Sequence, residues 1–310
     1  MPKQKLILIV GPTAVGKTDL GINLAQAFSG EIISGDSMQV YRHLDIGTAK
    51  VTSLEMAGVR HHLLDICNVE QRFTVADFTD LAAKKITQII TRKQQPFVVG
   101  GTGFYLQSLL RGYQLGGARS AQDLTLRKQL SLIAEQEGNQ VLWNRLTQVD
   151  PAAAKRIPLA DTRRIIRALE VYTLTGKRFS AQTDQINTNY EPYIIGLTTQ
   201  RELLYRRINQ RVDLMMQAGL LTEAKWLYER RQQAPQASKG IGYKEFFPYF
   251  SGECDLATAV SKVKQNSRHY AKRQLTFFRN QLPVHWYDLV TRPEDLPQIK
   301  QAVKNFLNEE

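Results

Sequence analysis

The sequence predicts an α/β protein, in which a parallel sheet is flanked by helices and interrupted by an all-helical insertion. Two observations support this fold class. Short apolar runs rich in β-branched residues recur along the chain, and connections with helical spacing separate most of them. One connection, residues 113–190, is too long for a simple crossover and has no convincing strand pattern.

Six apolar segments are the predicted strands: KLILIV, EIIS, HHLLDI, PFVVG, YIIGL and VHWYDL. The long connection instead shows helical patterns at LTLRKQLSLIAEQEG, QVLWNRLTQV and DTRRIIRALEVYTLTG. We therefore expect residues 1–112 to form the first part of a core domain and 113–190 a helical insertion. Residues 191–310 would complete the core with basic C-terminal helices.

The composition of the 310 residues is that of a soluble globular protein, with 43% hydrophobic and 23% charged residues. The two cysteines, Cys67 and Cys254, lie far apart, which predicts neither a disulfide framework nor a zinc site and favours the cytoplasm. No apolar run approaches the roughly 20 residues that a membrane span needs, so we expect no membrane partner.

Positive charge is concentrated in one part of the chain. The net charge is +12, and the segment from Arg201 to Gln281 contains 15 Lys and Arg against 7 Asp and Glu. Such an excess is typical of proteins that bind nucleic acid, although a basic soluble surface would explain it equally well.

The first predicted strand leads into GPTAVGKT, which matches G-x-x-x-x-G-K-[ST] at Gly11, Gly16, Lys17 and Thr18. A helical segment follows, so the motif has the strand–loop–helix context that it requires. Loop N–H groups and the helix N-terminus would surround phosphate oxygens, Lys17 would neutralise them, and the Thr18 hydroxyl would bind Mg²⁺. The sequence therefore predicts a P-loop NTPase-like core.

The other parts of an ATP-hydrolysing site are not evident in the sequence, although an acid elsewhere in the chain could supply the metal ligand. The strand PFVVG ends in glycines where many P-loop proteins have a metal-binding acid, and no DDxxD-type cluster is present. We therefore interpret the bound diphosphate as a leaving group.

Two polar residues follow strands at the edge where open α/β sheets bind ligands. Asp36 follows EIIS and is a candidate general base, although an Asp before Ser is also a common turn residue. Thr102 follows PFVVGG and would direct a hydroxyl into the same cleft, although a tight glycine turn would also explain this segment.

Arginines on two predicted helices are candidate anion ligands. Between the N-cap Asp161 and the stop Gly176, Arg163, Arg164 and Arg167 share one helical side, opposite an apolar side. A solvated charged face would also explain them. Arg207 and Arg211 form an i,i+4 pair that could bind phosphate.

Taken together, the motifs resemble the bacterial tRNA dimethylallyltransferase family. The resemblance lies in GPTAVGKT, GDSMQVYRHLDIGTAK, HHLLDI, FTVADF, VGGTGFYLQSLL, DTRRIIRALEV, SKGIGYKE and YAKRQLTFFRN, which occur in family order. It implies transfer of a dimethylallyl group from dimethylallyl diphosphate to N6 of the tRNA adenosine next to the anticodon, position 37.

The resemblance also implies roles for individual residues. The implied catalytic residues are Asp36, Lys17 and Thr102. The diphosphate donor would be bound by Thr13, Ala14, Val15, Gly16, Lys17 and Thr18. The phosphate-loop motif itself adds Gly11 and Pro12 to these donor ligands, and the i,i+4 arginine pair adds Arg211. The tRNA anticodon stem-loop would be contacted by Asp36, Ser37, Met38, Gln39, Thr102, Arg163, Arg164, Ile165, Ile166 and Arg167. Mg²⁺ is the expected cofactor, with Thr18 as a ligand, and we expect a monomer.

Three other functions remain open from the sequence. A P-loop nucleotide kinase would also need the phosphate loop, and an adenylate isopentenyltransferase would use free nucleotides as acceptors. A non-catalytic RNA-binding protein would leave the complete P-loop unexplained.

Overall fold

The computed structural model describes residues 3–112, 123–181 and 189–309. Its sheet has six strands, all parallel, in the spatial order β3-β2-β4-β1-β5-β6. The strands are β1 Gln4–Val10, β2 Gly30–Ser34, β3 His61–His62, β4 Gln95–Gly100, β5 Tyr190–Leu197 and β6 His285–Tyr287.

Twelve α-helices lie in the described ranges. They are α1 Lys17–Ala27, α2 Val75–Thr91, α3 Gly103–Arg111, α4 Leu124–Glu137, α5 Asn139–Val149, α6 Pro151–Arg156, α7 Thr162–Thr175, α8 Arg201–Gln217, α9 Leu220–Glu229, α10 Phe247–Phe250, α11 Leu256–Gln281 and α12 Leu296–Asn308. None of these helices combines the length and the apolar content that a membrane span requires.

The chain divides into two compact units. One consists of Met1–Leu110 with Thr188–Glu310 and contains the sheet, and the other is Arg111–Asn187. The described part of the second unit contains α4 to α7 and no strand, with Leu142, Leu146 and Ile165 fully buried among these helices. The predicted insertion, 113–190, covers nearly the same residues.

The centre of the sheet is apolar on both faces. Along β1, Leu6, Leu8 and Val10 pack into one core, whereas Ile7 and Ile9 pack into the core on the opposite face. This is the pattern of a parallel strand covered by helices on both sides. The carboxyl ends of β1, β2 and β4 consequently meet at one edge, and the segments that follow them lie together.

The predicted fold class is confirmed, a parallel sheet flanked by helices with a helical insertion. Two strands are shorter than predicted. Of VHWYDL, only His285–Tyr287 form β6. In HHLLDI only His61–His62 pairs with β2, because Leu63 and Asp65 adopt left-handed backbone angles, with φ of 62° and 52°, that cannot continue a strand.

Candidate active site

The phosphate loop joins β1 to α1, and its backbone is held by contacts from elsewhere in the core. Gly11 has a φ of 144°, and a Cβ there would lie 2.5 Å from the Leu197 carbonyl oxygen. Ala14 is left-handed, with a φ of 65°, and its carbonyl oxygen accepts a hydrogen bond from Arg207 Nε at 2.9 Å. Left-handed backbone at a residue with a side chain is strained, and such strain is common at functional sites.

A cavity of about 420 Å³ opens at the carboxyl edge of the sheet. Its lining comes from the phosphate loop, the segments after β2 and β4, the stretch 47–51, helix α8, the residues 236–242 and helix α11. Among the residues predicted for the site, those that line it are Thr13, Lys17, Thr18, Asp36, Ser37, Met38, Gln39 and Arg211.

Three cations that line this cavity, Lys17, Arg211 and Lys239, have no carboxylate partner among the described residues, and of these Lys239 is exposed. Burial, together with the nearby charge of Arg211, lowers the pKa of Lys17 to about 8, and the charge of Asp36 opposes this shift. Burial and the neighbouring Arg207 likewise lower the pKa of Arg211. Among the described residues, no acid lies within ion-pair distance of either. Holding the two desolvated positive charges of Lys17 and Arg211 close together costs free energy unless an anion binds between them. This end of the cavity is therefore suited to a polyanionic ligand.

Lys17 has a hydrogen bond only to the loop itself among the described residues, from Nζ to the Pro12 carbonyl oxygen at 2.6 Å. The amine therefore stays folded back over the loop, where an incoming phosphate would meet it. Pro12, Val15, Gly11 and Gly16 shape this loop rather than line the cavity.

Asp36 lines the same cavity and also holds the turn after β2. Its Oδ1 accepts hydrogen bonds from the N–H groups of Met38 at 2.8 Å and Gln39 at 3.3 Å. Asp36 therefore does stabilise a turn, which was one of the two roles considered for it. Within the described residues Oδ2 accepts no hydrogen bond. One carboxylate oxygen thus fixes the side chain, and the other is available for a proton.

Thr102 lies beside the cavity without lining it. Its Oγ1 accepts the Ser37 N–H at 3.0 Å and lies 3.3 Å from Ser37 Oγ. The hydroxyl of Tyr270, a residue that does line the cavity, is hydrogen-bonded to Thr102, and burial and then the Asp36 charge raise the pKa of Tyr270 to about 12. Tyr270 therefore remains a protonated phenol next to the carboxylate.

Gln274 on α11 links the phosphate loop to the end of β4. Its Oε1 accepts the Thr13 N–H at 3.0 Å, and its Nε2 donates to the Gly101 carbonyl oxygen at 2.9 Å. The side chain is 5% exposed, and a Cβ at Gly101 would lie 2.2 Å from Gln274 Nε2, so a larger residue at position 101 would displace this amide. Three chain segments are therefore joined at this point.

The amide of Gln39 is engaged within the protein. Its Oε1 accepts Ser34 Oγ at 2.9 Å, and its Nε2 donates to the carbonyl oxygens of Thr48 at 3.2 Å and Ala49 at 3.3 Å. In this structure Gln39 therefore supports the cavity wall, whereas the sequence suggested it as a tRNA contact.

The predicted arginine helix is α7, and its ends are the predicted ones. Asp161 caps it by accepting the Arg164 N–H at 3.2 Å, and Gly176 ends it in a left-handed conformation. Arg163 and Arg164 are exposed, whereas Arg167 forms an ion pair with the buried Glu170 at 2.5 Å.

Two neighbours of these arginines are core residues. The side chains of Ile165 and Ile166, suggested as tRNA contacts, are 0% and 7% exposed and pack in the core of the second unit. Of residues 163–167, only the arginines have side chains that reach solvent.

Thr18 is the second residue of α1, and its exposed side chain lines the cavity, where Mg²⁺ was predicted. Among the described residues, no group of three or more His, Cys, Asp or Glu could hold a metal ion. The donor set at Thr18 nevertheless fits Mg²⁺, because this ion commonly takes one protein oxygen together with substrate phosphates and water.

Three functional residues were not found from the sequence. Gln274 and Tyr270 lie on the long helix α11, where periodicity places residues on a face but gives no partner. Adjacent residues of a strand point to opposite faces, which predicts a structural role for His61 and His62 and no shared metal. His61 nevertheless lines the cavity, and its Nδ1 contacts the Val59 carbonyl oxygen at 2.9 Å. Only its partner His62, which contacts the buried Glu31, has the structural role.

Comparison with known proteins places these features in one family. The family model described as IPP transferase matches residues 39–281. A tRNA dimethylallyltransferase of Latilactobacillus sakei subsp. sakei (strain 23K) is 55% identical over 99% of both chains, and one of Enterococcus faecalis (strain ATCC 700802 / V583) is 51% identical over 99% of this chain and 98% of its own.

Solved structures give the same result. A full-length tRNA isopentenylpyrophosphate transferase from Bacillus halodurans has a TM-score of 0.74, with 46% identity and coverage of 98% of this chain and 97% of its own. A eukaryotic dimethylallyltransferase acting on tRNA has a TM-score of 0.82, with 33% identity and coverage of 97% and 79%. The chain therefore belongs to the IPP transferase family of tRNA dimethylallyltransferases.

Proposed function

We propose that the protein transfers a dimethylallyl group from dimethylallyl diphosphate to N6 of the adenosine next to the anticodon, position 37, in tRNA, and releases diphosphate. The observation that carries this proposal is the composition of one cavity: the desolvated cations Lys17 and Arg211, which have no carboxylate partner among the described residues, and the carboxylate of Asp36. The membership of the family supports the same reaction.

In the proposed reaction the target adenine leaves its stack and enters the cavity, as bases do in enzymes that act on them. N6 attacks C1 of the dimethylallyl group, so that an N–C bond forms. The C1–O bond breaks, and its electron pair leaves with the diphosphate. The proton on N6 passes to Asp36. This transfer matters because an aromatic amine is a poor nucleophile, its lone pair being delocalised into the ring, and loss of the proton as the N–C bond forms makes the attack easier.

The leaving diphosphate gains negative charge as the C1–O bond breaks. The N–H groups of the phosphate loop and the N-terminus of α1 stabilise this charge, together with Lys17 and Arg211. The cations are already desolvated before the reaction, so they lose little hydration energy when the charge develops.

The residues around Asp36 would hold the acceptor base. The hydroxyls of Ser37, Thr102 and Tyr270 form a connected group beside the carboxylate and could bind the base edge. The exposed Arg163 and Arg164 of α7 would bind the phosphate backbone of the anticodon stem-loop.

Mg²⁺ would be held by Thr18 together with diphosphate oxygens. When bound, it would supply further charge stabilisation for the leaving group. The N–H groups of the loop and Lys17 would orient the same diphosphate, so that C1 faces Asp36.

The proposed function is tested by incubating the protein with unmodified tRNA and dimethylallyl diphosphate, followed by mass analysis of the nucleosides. We expect one adenosine to gain the mass of a dimethylallyl group less one hydrogen. Parallel incubations replace tRNA by AMP, or the donor by labelled ATP. Prenylation of AMP alone would indicate an adenylate isopentenyltransferase, and transfer of label from ATP a kinase; absence of any prenylated adenosine in tRNA would overturn the proposal.

A further inference from the structure

One wall of the cavity is a short turn whose amides converge on a single carboxylate. The turn comprises residues 45–49, and its Gly47, Thr48 and Ala49 line the cavity. Glu223, in the first turn of α9, accepts the N–H groups of Asp45 and Ile46 at Oε2, both at 2.9 Å. Its Oε1 accepts the Gly47 N–H at 2.9 Å. Three successive amides directed at one carboxylate resemble the anion-binding start of a helix.

A fourth hydrogen bond to the carboxylate comes from a residue that also packs on the turn. The hydroxyl of the fully buried Tyr243 donates to Glu223 Oε1 at 2.7 Å. The Tyr243 ring packs directly on Gly47, where a Cβ would lie 2.5 Å from the ring carbon Cζ. Glu223 and Tyr243 together therefore set the position of the turn.

The other end of the same turn leads to Asp36. The Thr48 and Ala49 carbonyl oxygens accept hydrogen bonds from Gln39 Nε2, and the Gln39 N–H donates to Asp36 Oδ1. A continuous hydrogen-bonded path thus runs from Glu223 through the turn and Gln39 to the carboxylate that faces the cavity. The phosphate loop is not part of this path.

We propose that Glu223 is a positioning residue for Asp36. It acts through the turn 45–49 and Gln39, and it touches neither reacting group. This inference rests on the proposed function, because Asp36 is the base only if the acceptor is an amine. Loss of the Glu223 charge would release the turn and misplace the base, while the diphosphate end of the cavity would keep its shape.

The test compares Glu223→Gln with wild type in steady-state kinetics and in direct binding of dimethylallyl diphosphate. Gln keeps the size of the side chain but opposes one amide donor with its own N–H groups. We expect kcat to fall at least tenfold, while the dissociation constant for the donor changes less than threefold. Glu223→Ala is measured in parallel and should lower kcat at least as much.

Asp288→Asn is the matched control for stability. Asp288 is also half-buried and anchors a loop, accepting the Val290 and Thr291 N–H groups at 3.1 Å and Thr199 Oγ1 at 3.0 Å, but it does not line the cavity. If Asp288→Asn lowers Tm as much as Glu223→Gln does, it should still retain the wild-type kcat. A wild-type kcat in Glu223→Gln, an equal loss in the control, or an effect on donor binding alone would overturn the inference. If wild type itself transfers no prenyl group, the proposed function fails.

Discussion

Lys17 gives the donor site a pH dependence at the scale of a single residue. Its pKa is lowered to about 8 in the free protein, and a bound diphosphate would raise it, because an anion favours the charged amine. Binding must then take up a proton once the pH exceeds about 8. Donor affinity should therefore be constant below that pH and fall above it, by up to about tenfold per unit.

Direct binding of dimethylallyl diphosphate between neutral and alkaline pH checks this expectation. Lys17→Arg keeps the charge across the whole range, so its affinity should show no inflection near pH 8. A wild-type profile without that inflection would show that the amine of Lys17 does not bind the donor.

Asp36 can be tested by a substitution that preserves its structural contact. Asn at position 36 keeps an oxygen to accept the Met38 N–H, so the turn should remain intact, but an amide cannot take the N6 proton. We expect Asp36→Asn to lower kcat by about 10²- to 10⁴-fold. Binding of tRNA and of the donor, measured by equilibrium titration, should stay within a few-fold; a nearly wild-type kcat would exclude Asp36 as the base.

The sequence predicted best those site residues whose place depends only on their neighbours in the chain. The phosphate loop, Asp36 and the caps Asp161 and Gly176 follow from short-range rules on turns, strand ends and helix ends. The hydrogen bonds of the Gln39 side chain and the ion pair between Arg167 and Glu170 depend on contacts that form only in the folded protein. No local sequence pattern predicts them.

At the scale of elements, α11 supports the phosphate loop through Gln274. Gln274→Met keeps the volume but leaves the Thr13 N–H and the Gly101 carbonyl oxygen without their partner, at a cost of about 1–3 kcal/mol. We expect the KM for the donor to rise roughly tenfold or more and the KM for tRNA to stay unchanged. The control is Gln281→Met, seven residues along the same helix and outside the cavity, which should retain both constants.

Helix α7 offers a second test at this scale. Its exposed Arg163 and Arg164 should bind RNA phosphates, so the double variant to Ala should weaken tRNA binding roughly tenfold and reduce the salt dependence by about one to two ions. Filter binding at several salt concentrations measures both effects. Arg145→Ala, an exposed arginine on α5, controls for net charge; an equal loss in that variant would exclude a specific role for α7.

Element boundaries show where sequence patterns stop being informative. Six strands were predicted from apolar runs, and the one that differed most, β3, ends early because of backbone angles that no hydrophobic pattern encodes. The segment RRQQAPQASKG has the polar composition that predicts a mobile loop. Its Ala234 and Ala237 are fully buried, and Gln236 donates to the Phe73 carbonyl oxygen at 2.6 Å, because a polar composition does not show which residues the fold covers.

At the scale of the whole molecule, the cavity is assembled from segments that are far apart in the chain. The phosphate loop, the turn 45–49, α8 and α11 all contribute to it. Open α/β sheets bind ligands at the carboxyl ends of their strands, and this rule predicts the edge of the sheet at which the cavity lies. The rule gives no information on helices that close over that edge, which is why Gln274, Tyr270 and Glu223 could be found only in the structure.

In the proposed reaction the phosphate loop holds a leaving group, so that the donor is cleaved at carbon and not at phosphorus. Dimethylallyl diphosphate labelled with ¹⁸O at the oxygen between C1 and phosphorus tests it most directly. After a single turnover on tRNA, mass analysis of the products should find the whole label in the released diphosphate and none on the prenylated adenosine. Label retained on the carbon, or transfer of a phosphoryl group to tRNA, would contradict the account.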